Sequence, residues 1–397
     1  MRITLDQLDA LRMPDGETLL GTIAERDPSP AETLALVSGL RERFDPELVA
    51  AAMTIHTLRQ RARGRFQDAD RLWLTGEGLE QASGDLVADY RAARFAGCIR
   101  VADLGCGIGG DLMALARRDI GSLLAIDRDP LHAAMAALNA RTVRPDVDLE
   151  IRVADALDVD LTGIDGVFLD PARRRGGQRV GAGGTSPPLD WAIGLVEHVP
   201  KVGITTAPGI AHTQVPEGWE FEAIAIGTDL KEGMLWSPAL ETAHWRATVI
   251  DPSSGEAHTL VERGDEPLPI TEPLPGMTVI DPNPAVTRAG LVQTLGHQLG
   301  ARMIDTQIAF LVTEEPVTTA FARSLQIVDA LPWHERRVKM RLRELGAGAV
   351  GIRRRGLAGD VDRIARRLRG DGSRRLTVLM TRHRDNPWAI IAEDPPG

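Results

Sequence analysis

The stretch VADLGCGIGGD, residues 101–111, constrains the fold more than any other part of the chain. An apolar run, CIRVADL, leads without interruption into Gly105, Gly107, Gly109 and Gly110. Glycines at the end of a buried strand let the backbone turn tightly and approach a ligand with no Cβ in the way. From this point to about residue 250, strand-length apolar runs alternate with helical patterns. Strands are expected at 99–104, 122–127, 149–153, 164–169, 200–206 and 220–226, and a hairpin through EFEAIAIGTD, GMLWSPALE and HWRATVID closes the series. Such alternation marks a parallel sheet with crossover helices, so the middle of the chain reads as α/β.

The flanks have a different character. Residues 1–95 carry apolar positions at three-and-four spacing, as in AETLALVSGLRERF and PELVAAAMTIHTLRQRA, and read as helical. Residues 251–285 hold seven prolines and read as a linker or crossing segment. Residues 286–397 form a third module, with helices expected at 333–345 and 359–369 and strands at 349–354, 375–381 and 388–392. A chain of 397 residues exceeds what one core usually supports. The expected division is therefore a helical domain 1–95, an α/β domain 96–250, the segment 251–285 and an α+β domain 286–397.

Charge is unevenly placed. The net charge is -10, yet residues 316–397 carry seventeen Arg and Lys against nine Asp and Glu. The basic character is almost all arginine, since Lys201, Lys231 and Lys339 are the only lysines. This excess allows a basic face on an acidic protein, with a planar fork suited to phosphate. A solvated surface would have the same composition. The two cysteines, Cys98 and Cys106, lie in no CxxC pattern and read as small buried residues. No apolar run reaches bilayer length, and the first residues lack a basic start followed by an apolar core, which points to a cytoplasmic protein with no membrane partner.

Gly105, Gly107 and Gly110 fit the G-x-G-x-x-G spacing of dinucleotide sites, and Gly105, Gly107 and Gly109 fit G-x-G-x-G. Asp103 separates the two possibilities. A carboxylate two residues before the first glycine repels a pyrophosphate but suits the cationic methionine end of S-adenosylmethionine (SAM). Asp127 ends the second strand twenty residues after Gly107, where a carboxylate takes ribose hydroxyls. Asp155 follows the third strand and Asp170 the fourth, so acidic residues close four successive strands. That series resembles the class I SAM-dependent methyltransferases: Asp103 to Gly110 matches their first motif, Asp127 the ribose position, Asp155 the adenine-side position, and Asp170 to Arg173 the fourth motif. The cofactor implied is SAM, and the fold implied is a Rossmann-like methyltransferase domain.

Methyl transfer needs an aligned acceptor more than covalent chemistry from the protein. Asp170-Pro171-Ala172-Arg173 resembles the D/N-P-P-Y/F motif of amino-methyltransferases in its first two positions. In that motif the acidic side chain and the carbonyl after it accept hydrogen bonds from an exocyclic amine. The third and fourth positions depart from the pattern, and with them goes the aromatic platform for a flipped base. The same tetrapeptide resembles the motif of the RNA uracil-5-methyltransferases, which need a cysteine after the fifth strand. KVGITTAPGIAHT has none, and this excludes that route. Arg173, Arg174, Arg175 and Arg179 crowd the glycine-rich loop that follows, either to bind phosphates or as an exposed basic loop.

Over nearly its full length the chain resembles the bacterial class I SAM-dependent methyltransferases that carry a C-terminal THUMP-like domain. The matching stretches are LWLTGEGLEQAS with YRAARFAG, DLGCGIGGD, FLDPARR with GGQRV, TDLKEGMLW, PGMTVIDPNPAVTRAG, LPWHERRVKMRLRELG, and GIRRRG with TVLMTR. The resemblance implies an RNA acceptor, tRNA or rRNA. The residues add the basic helix Arg336, Arg337, Lys339, Arg341, Arg343 and the strand Arg353, Arg354, Arg355. The reading from sequence is an RNA methyltransferase acting on a base nitrogen, with Asp170, Pro171 and Arg173 at the acceptor. Two other readings stand beside it: a small-molecule or protein methyltransferase, and a non-catalytic SAM-binding protein.

Overall fold

The computed structural model describes residues 3–29, 31–171, 185–264 and 266–395, with the backbone of 174–175 and 178–179. The chain divides into two compact units, one of Met1–Thr206, Val215–Trp219 and Met234–Glu241, the other of Ala207–Gln214, Glu220–Gly233 and Thr242–Gly397.

The first unit opens with helices α1 (Leu5–Leu11), α2 (Pro14–Arg26), α3 (Thr33–Arg41), α4 (Pro46–Ala62), α5 (Gly76–Gln81) and α6 (Asp85–Ala92). In α4 the start signals of the sequence are directly visible. Pro46 supplies the pre-set first-turn dihedral, and Asp45 accepts from the Glu47 and Leu48 amides at 2.9 and 3.0 Å. Five parallel strands follow in the order β5-β4-β1-β2-β3: β1 (Arg100–Leu104), β2 (Ser122–Asp127), β3 (Leu149–Val153), β4 (Gly166–Leu169) and β5 (Lys201–Thr206). Helices α7 (Gly110–Ala116) and α8 (Pro130–Val143) cross between β1, β2 and β3, and α9 (Leu189–Gly194) precedes β5. One apolar core joins Leu8, Leu11, Leu19 and Ile55 of the N-terminal helices to Ile108, Met113 and Met135, so those helices pack directly behind the glycine loop.

The second unit contains β6 (Glu220–Ile226), β8 (Trp245–Ile250) and β9 (Ala257–Val261); β7 (Asp229–Trp236) belongs to it through residue 233. β8 pairs in parallel with β6 and antiparallel with β9, a richer closure than the expected hairpin. A second sheet has seven strands in the order β11-β12-β10-β13-β16-β15-β14. They are β10 (Thr278–Pro282), β11 (Arg302–Met303), β12 (Leu311–Thr313), β13 (Ala322–Pro332), β14 (Ala347–Arg354), β15 (Arg374–His383) and β16 (Asn386–Glu393). Helices α10 (Pro284–Arg288) and α11 (Val292–Leu299) follow β10. Side chains alternate across the central strands. Leu379, Ile390 and Ala392 join one core, and Val378, Met380, Ala389 and Ile391 join another beneath α12 (Glu335–Glu344) and α13 (Val361–Leu368). No helix among the described residues is long and apolar enough to cross a membrane.

Candidate cofactor and acceptor site

The glycine turn is held from three sides. The amides of Gly105 and Cys106 donate to the Ile126 carbonyl at 2.8 and 2.9 Å, which fixes the turn to the end of β2. The Gly107 amide donates to Asp127 Oδ2 at 2.8 Å, while Asp127 Oδ1 accepts from the Asp129 amide at 2.8 Å. Behind the turn, Asn139 of α8 is fully buried and accepts from the Trp73 amide at 2.7 Å. Its Nδ2 donates to the Trp73 and Ile108 carbonyls at 2.9 and 2.8 Å. The glycines answer distinct demands. Gly109 has φ +88° with Ala136 Cα only 3.0 Å from a would-be Cβ, so a larger residue would be strained and would have to displace Ala136. At Gly105 and Gly107, φ +86° and +53°, a Cβ would project into open space, a cradle that a side chain would fill.

Asp103, on β1 between Ala125 and Phe168 in register, is 2% exposed, and its Oδ2 has no hydrogen-bond partner among the described residues. Burial, then the charges of Asp111, Asp170 and Asp127, push its carboxyl well above the usual carboxylate range, against the pull of Arg91. Asp111, in the first turn of α7, is raised chiefly by burial and held down by its ion pair with Arg91. Arg91 is 1% exposed, donates to Ser83 Oγ at 2.7 Å, and lies 5.1 Å over the Phe168 ring. Asp155 caps the turn after β3 through the Leu157 amide at 3.1 Å and lies 3.7 Å from Arg128. A buried, unpaired carboxyl oxygen beside an open glycine cradle suits a ligand with a cationic end.

Asp170 and Pro171 follow β4. Leu169 pairs with Ile204 in register, which sets the next residue, Thr205, beside Asp170. The buried Thr205 hydroxyl donates to Asp170 Oδ1, while Asp170 itself is exposed. Arg173 lies outside the described residues, and of Arg174, Arg175 and Arg179 only the backbone is described, as a short antiparallel ribbon.

An uncharacterised SAM-dependent methyltransferase of Mycobacterium tuberculosis, found in strains CDC 1551 / Oshkosh and ATCC 25618 / H37Rv, is 36% identical over 366 residues, which span 86% of this chain and 95% of its own. The chain belongs to the SAM-dependent methyltransferases. The crystal structure of a proposed methyltransferase from Porphyromonas gingivalis W83 matches 89% of this methyltransferase and 92% of its own chain, with a TM-score of 0.73 at 19% identity, which establishes the likeness of fold. Two family models match parts of the methyltransferase: a domain of unknown function, DUF8688, over residues 4–62, and a THUMP domain-like family over residues 322–394.

Within the THUMP-like region the structure sorts the basic residues named from sequence. Arg341 is taken by Asp329 at 2.5 Å and Glu344 at 2.9 Å. Arg355 is locked to Asp281 at 2.9 Å and to the Pro282 carbonyl at 2.9 Å, and lies 5.3 Å over Phe310. Arg354 donates to the Gly359 carbonyl at 2.6 Å. By contrast Arg336, Arg337 and Arg343 of α12 are exposed, without side-chain partners among the described residues. So are Arg363, Arg366 and Arg369 on and beside α13, which shares a core with α12 through Val338, Leu342, Ile364 and Leu368. Most of the module's exposed cations without side-chain partners among the described residues lie on these two neighbouring helices, and Arg375, Arg382 and Arg384 add three more on and beside β15. The sequence signal was present in DRIARRLRG, where Ile364 and Leu368 fix the inner face and the arginines fall outside it. Thr205, Arg91 and Asn139 are the residues around the site that sequence reasoning missed.

Proposed function

We propose that this cytoplasmic methyltransferase transfers the methyl group of SAM to a base nitrogen of RNA, tRNA or rRNA. The observation that carries the RNA reading is the arginine surface of α12 and α13 inside the THUMP-like region. Arg336, Arg337, Lys339, Arg343, Arg363, Arg366 and Arg369 bring charge there and lack ion-pair partners among the described residues. Cations in such number release condensed counterions on meeting a phosphate backbone.

In this reading Asp103, Gly105, Gly107, Gly109, Asp127 and Asp155 hold the cofactor. Asp103 meets its ammonium end, Asp127 the ribose and Asp155 the adenine side. The cofactor, when bound, supplies an electrophilic methyl group. Asp170 and the carbonyl of Pro171 accept hydrogen bonds from the acceptor amine and direct its lone pair, work that is alignment and not covalent chemistry. Thr205 occupies Asp170 Oδ1 and leaves Oδ2 to the acceptor. Arg173 is assigned to an RNA phosphate near the acceptor. Residues 96–250 make the methyltransferase domain, 286–397 the RNA-binding domain, 1–95 a helical domain and 251–285 the segment between.

Incubating the protein with methyl-labelled SAM and fractionated extract from cells lacking its gene tests the reading. Label in tRNA or rRNA, lost with Asp170→Ala, is the expected result. RNA binding should weaken with salt and lose about one unit of log–log slope for each phosphate-contacting arginine replaced by glutamine. Label confined to protein or small molecules overturns the assignment. The residue sequence Asp170-Pro171-Ala172-Arg173, with no aromatic stacking platform, favours a non-catalytic SAM-binding protein as the second reading, for which SAM binding without label on any acceptor is the expected result.

A further inference from the structure

The Asp103 carboxyl is enclosed by charge of its own sign. Asp111 in the first turn of α7, Asp170 after β4 and Asp127 at the end of β2 each act on it through their charge. The Cys106 thiol lies beside it on the glycine turn, is itself driven well above its usual range by burial, and stays protonated at neutral pH. The cation facing this group from α6 is Arg91, and its guanidinium is already committed to Asp111 and Ser83. One oxygen of Asp103 is buried with no donor. A buried carboxylate among like charges, with its neighbouring cation already paired to Asp111, is costly, so the group holds its proton more tightly until a further cation arrives.

We propose that cofactor binding to this methyltransferase is proton-linked, with Asp103 as the group that exchanges the proton. The protonated carboxyl of the free protein gives up its O–H proton to the buffer, and the resulting carboxylate pairs with the α-ammonium of the incoming cofactor. No other bond is made or broken. The inference rests on the reading of Asp103 as the ammonium's partner. Its consequence is that affinity rises with pH, up to tenfold per pH unit, until the free protein has lost that proton unaided.

The test is isothermal titration of the full chain with S-adenosylhomocysteine, which carries the same ammonium and does not turn over. Titrations between pH 6.0 and 7.0, below titration of the ligand amine, in buffers of different ionisation enthalpy count the protons exchanged. Release of a proton by the wild type is expected, together with an affinity that climbs with pH. Asp103→Asn should bind more weakly, release none and show a flat profile. Asp111→Asn, which removes one neighbouring carboxylate, should move the linkage to lower pH. Cys106→Ala should leave the count unchanged. Absence of proton release in the wild type overturns the proposal, as does release that persists in Asp103→Asn. If Asp103→Asn does not fold, a linkage unmoved by Asp111→Asn overturns it. Should Asp103→Asn bind as tightly as wild type, the ammonium-partner reading falls as well; weakened binding in that variant without wild-type proton release sinks the linkage alone.

Discussion

Replacing Asn139 with alanine removes one side chain and three hydrogen bonds at once. The Trp73 amide loses its acceptor at 2.7 Å, and the Trp73 and Ile108 carbonyls lose their donor at 2.9 and 2.8 Å. Asn139 is fully buried and so is its bond to Ile108, while the two bonds to Trp73 are part-buried, so the backbone groups are largely shielded from water when the amide is gone. Each buried polar group stranded in this way costs about 1–3 kcal/mol. Because the three share one site and relax together, the expected loss is about 3–6 kcal/mol. That is a large part of the 5–15 kcal/mol that holds a typical domain together. Urea denaturation followed by tryptophan fluorescence measures it. The midpoint should fall with little change in slope. Ile108 belongs to the glycine turn, so affinity for S-adenosylhomocysteine should drop even in conditions where the variant is folded. Asn139→Asp serves as the control of shape. It keeps an acceptor for the Trp73 amide but sets a carboxylate against two carbonyls, so it should be unstable near neutral pH and recover on acidification. A loss below about 1 kcal/mol for Asn139→Ala would refute the reasoning, since it would mean that the three backbone groups find other partners.

Three further outcomes follow from the same structure. Arg246→Ala takes the guanidinium, 2.7 Å away, from the fully buried Glu220, and should cost about 3–5 kcal/mol by chemical denaturation. Gly109→Ala forces a left-handed backbone on alanine, about 1–2 kcal/mol, and presses its Cβ to 3.0 Å from Ala136 Cα; a lowered Tm and weakened S-adenosylhomocysteine binding are expected. The free protein's stability should depend on pH through Asp103 and Asp111, whose folded carboxyls are raised mainly by burial. The folded state then binds more protons than the unfolded one, so stability falls as pH climbs from the ordinary carboxylate value through the raised ones. Asp103→Asn should flatten that decline in denaturation midpoints taken from pH 4 to 9.

Periodicity located the parallel strands of the first unit closely, with β2 and β3 at the expected residues; β2 is legible because a buried parallel strand is a continuous apolar run bounded by turns, while β3, LEIRV, is half-exposed and alternates. The Asp103, Asp127, Asp155 and Asp170 series was legible for the same reason: carboxylates at strand ends interrupt an apolar pattern. Strand β13 was not anticipated. A bulge between Ile327 and Asp329 shifts its register, so apolar residues change face in mid-strand and no alternation spans its eleven residues. Strands β9 and β10 were hidden among prolines that read as a linker. Arg91, Asn139 and Glu220 are buried polar residues whose partners lie 20, 66 and 26 positions away, and no local pattern announces such pairings. The division of arginines into locked and free could not be read either, since it depends on partners distant in sequence such as Asp329 for Arg341 and Asp281 for Arg355.

The α12–α13 surface draws nearly all its charge from guanidinium groups, with Lys339 the one ammonium. A guanidinium is not a substrate for lysine acetylation. The surface therefore has no chemical dimmer of the kind that lysine-rich patches possess. Acylating enzymes and amine-reactive reagents find a single point of attack there, Lys339, while ionic strength or a rival polyanion still screens the whole surface.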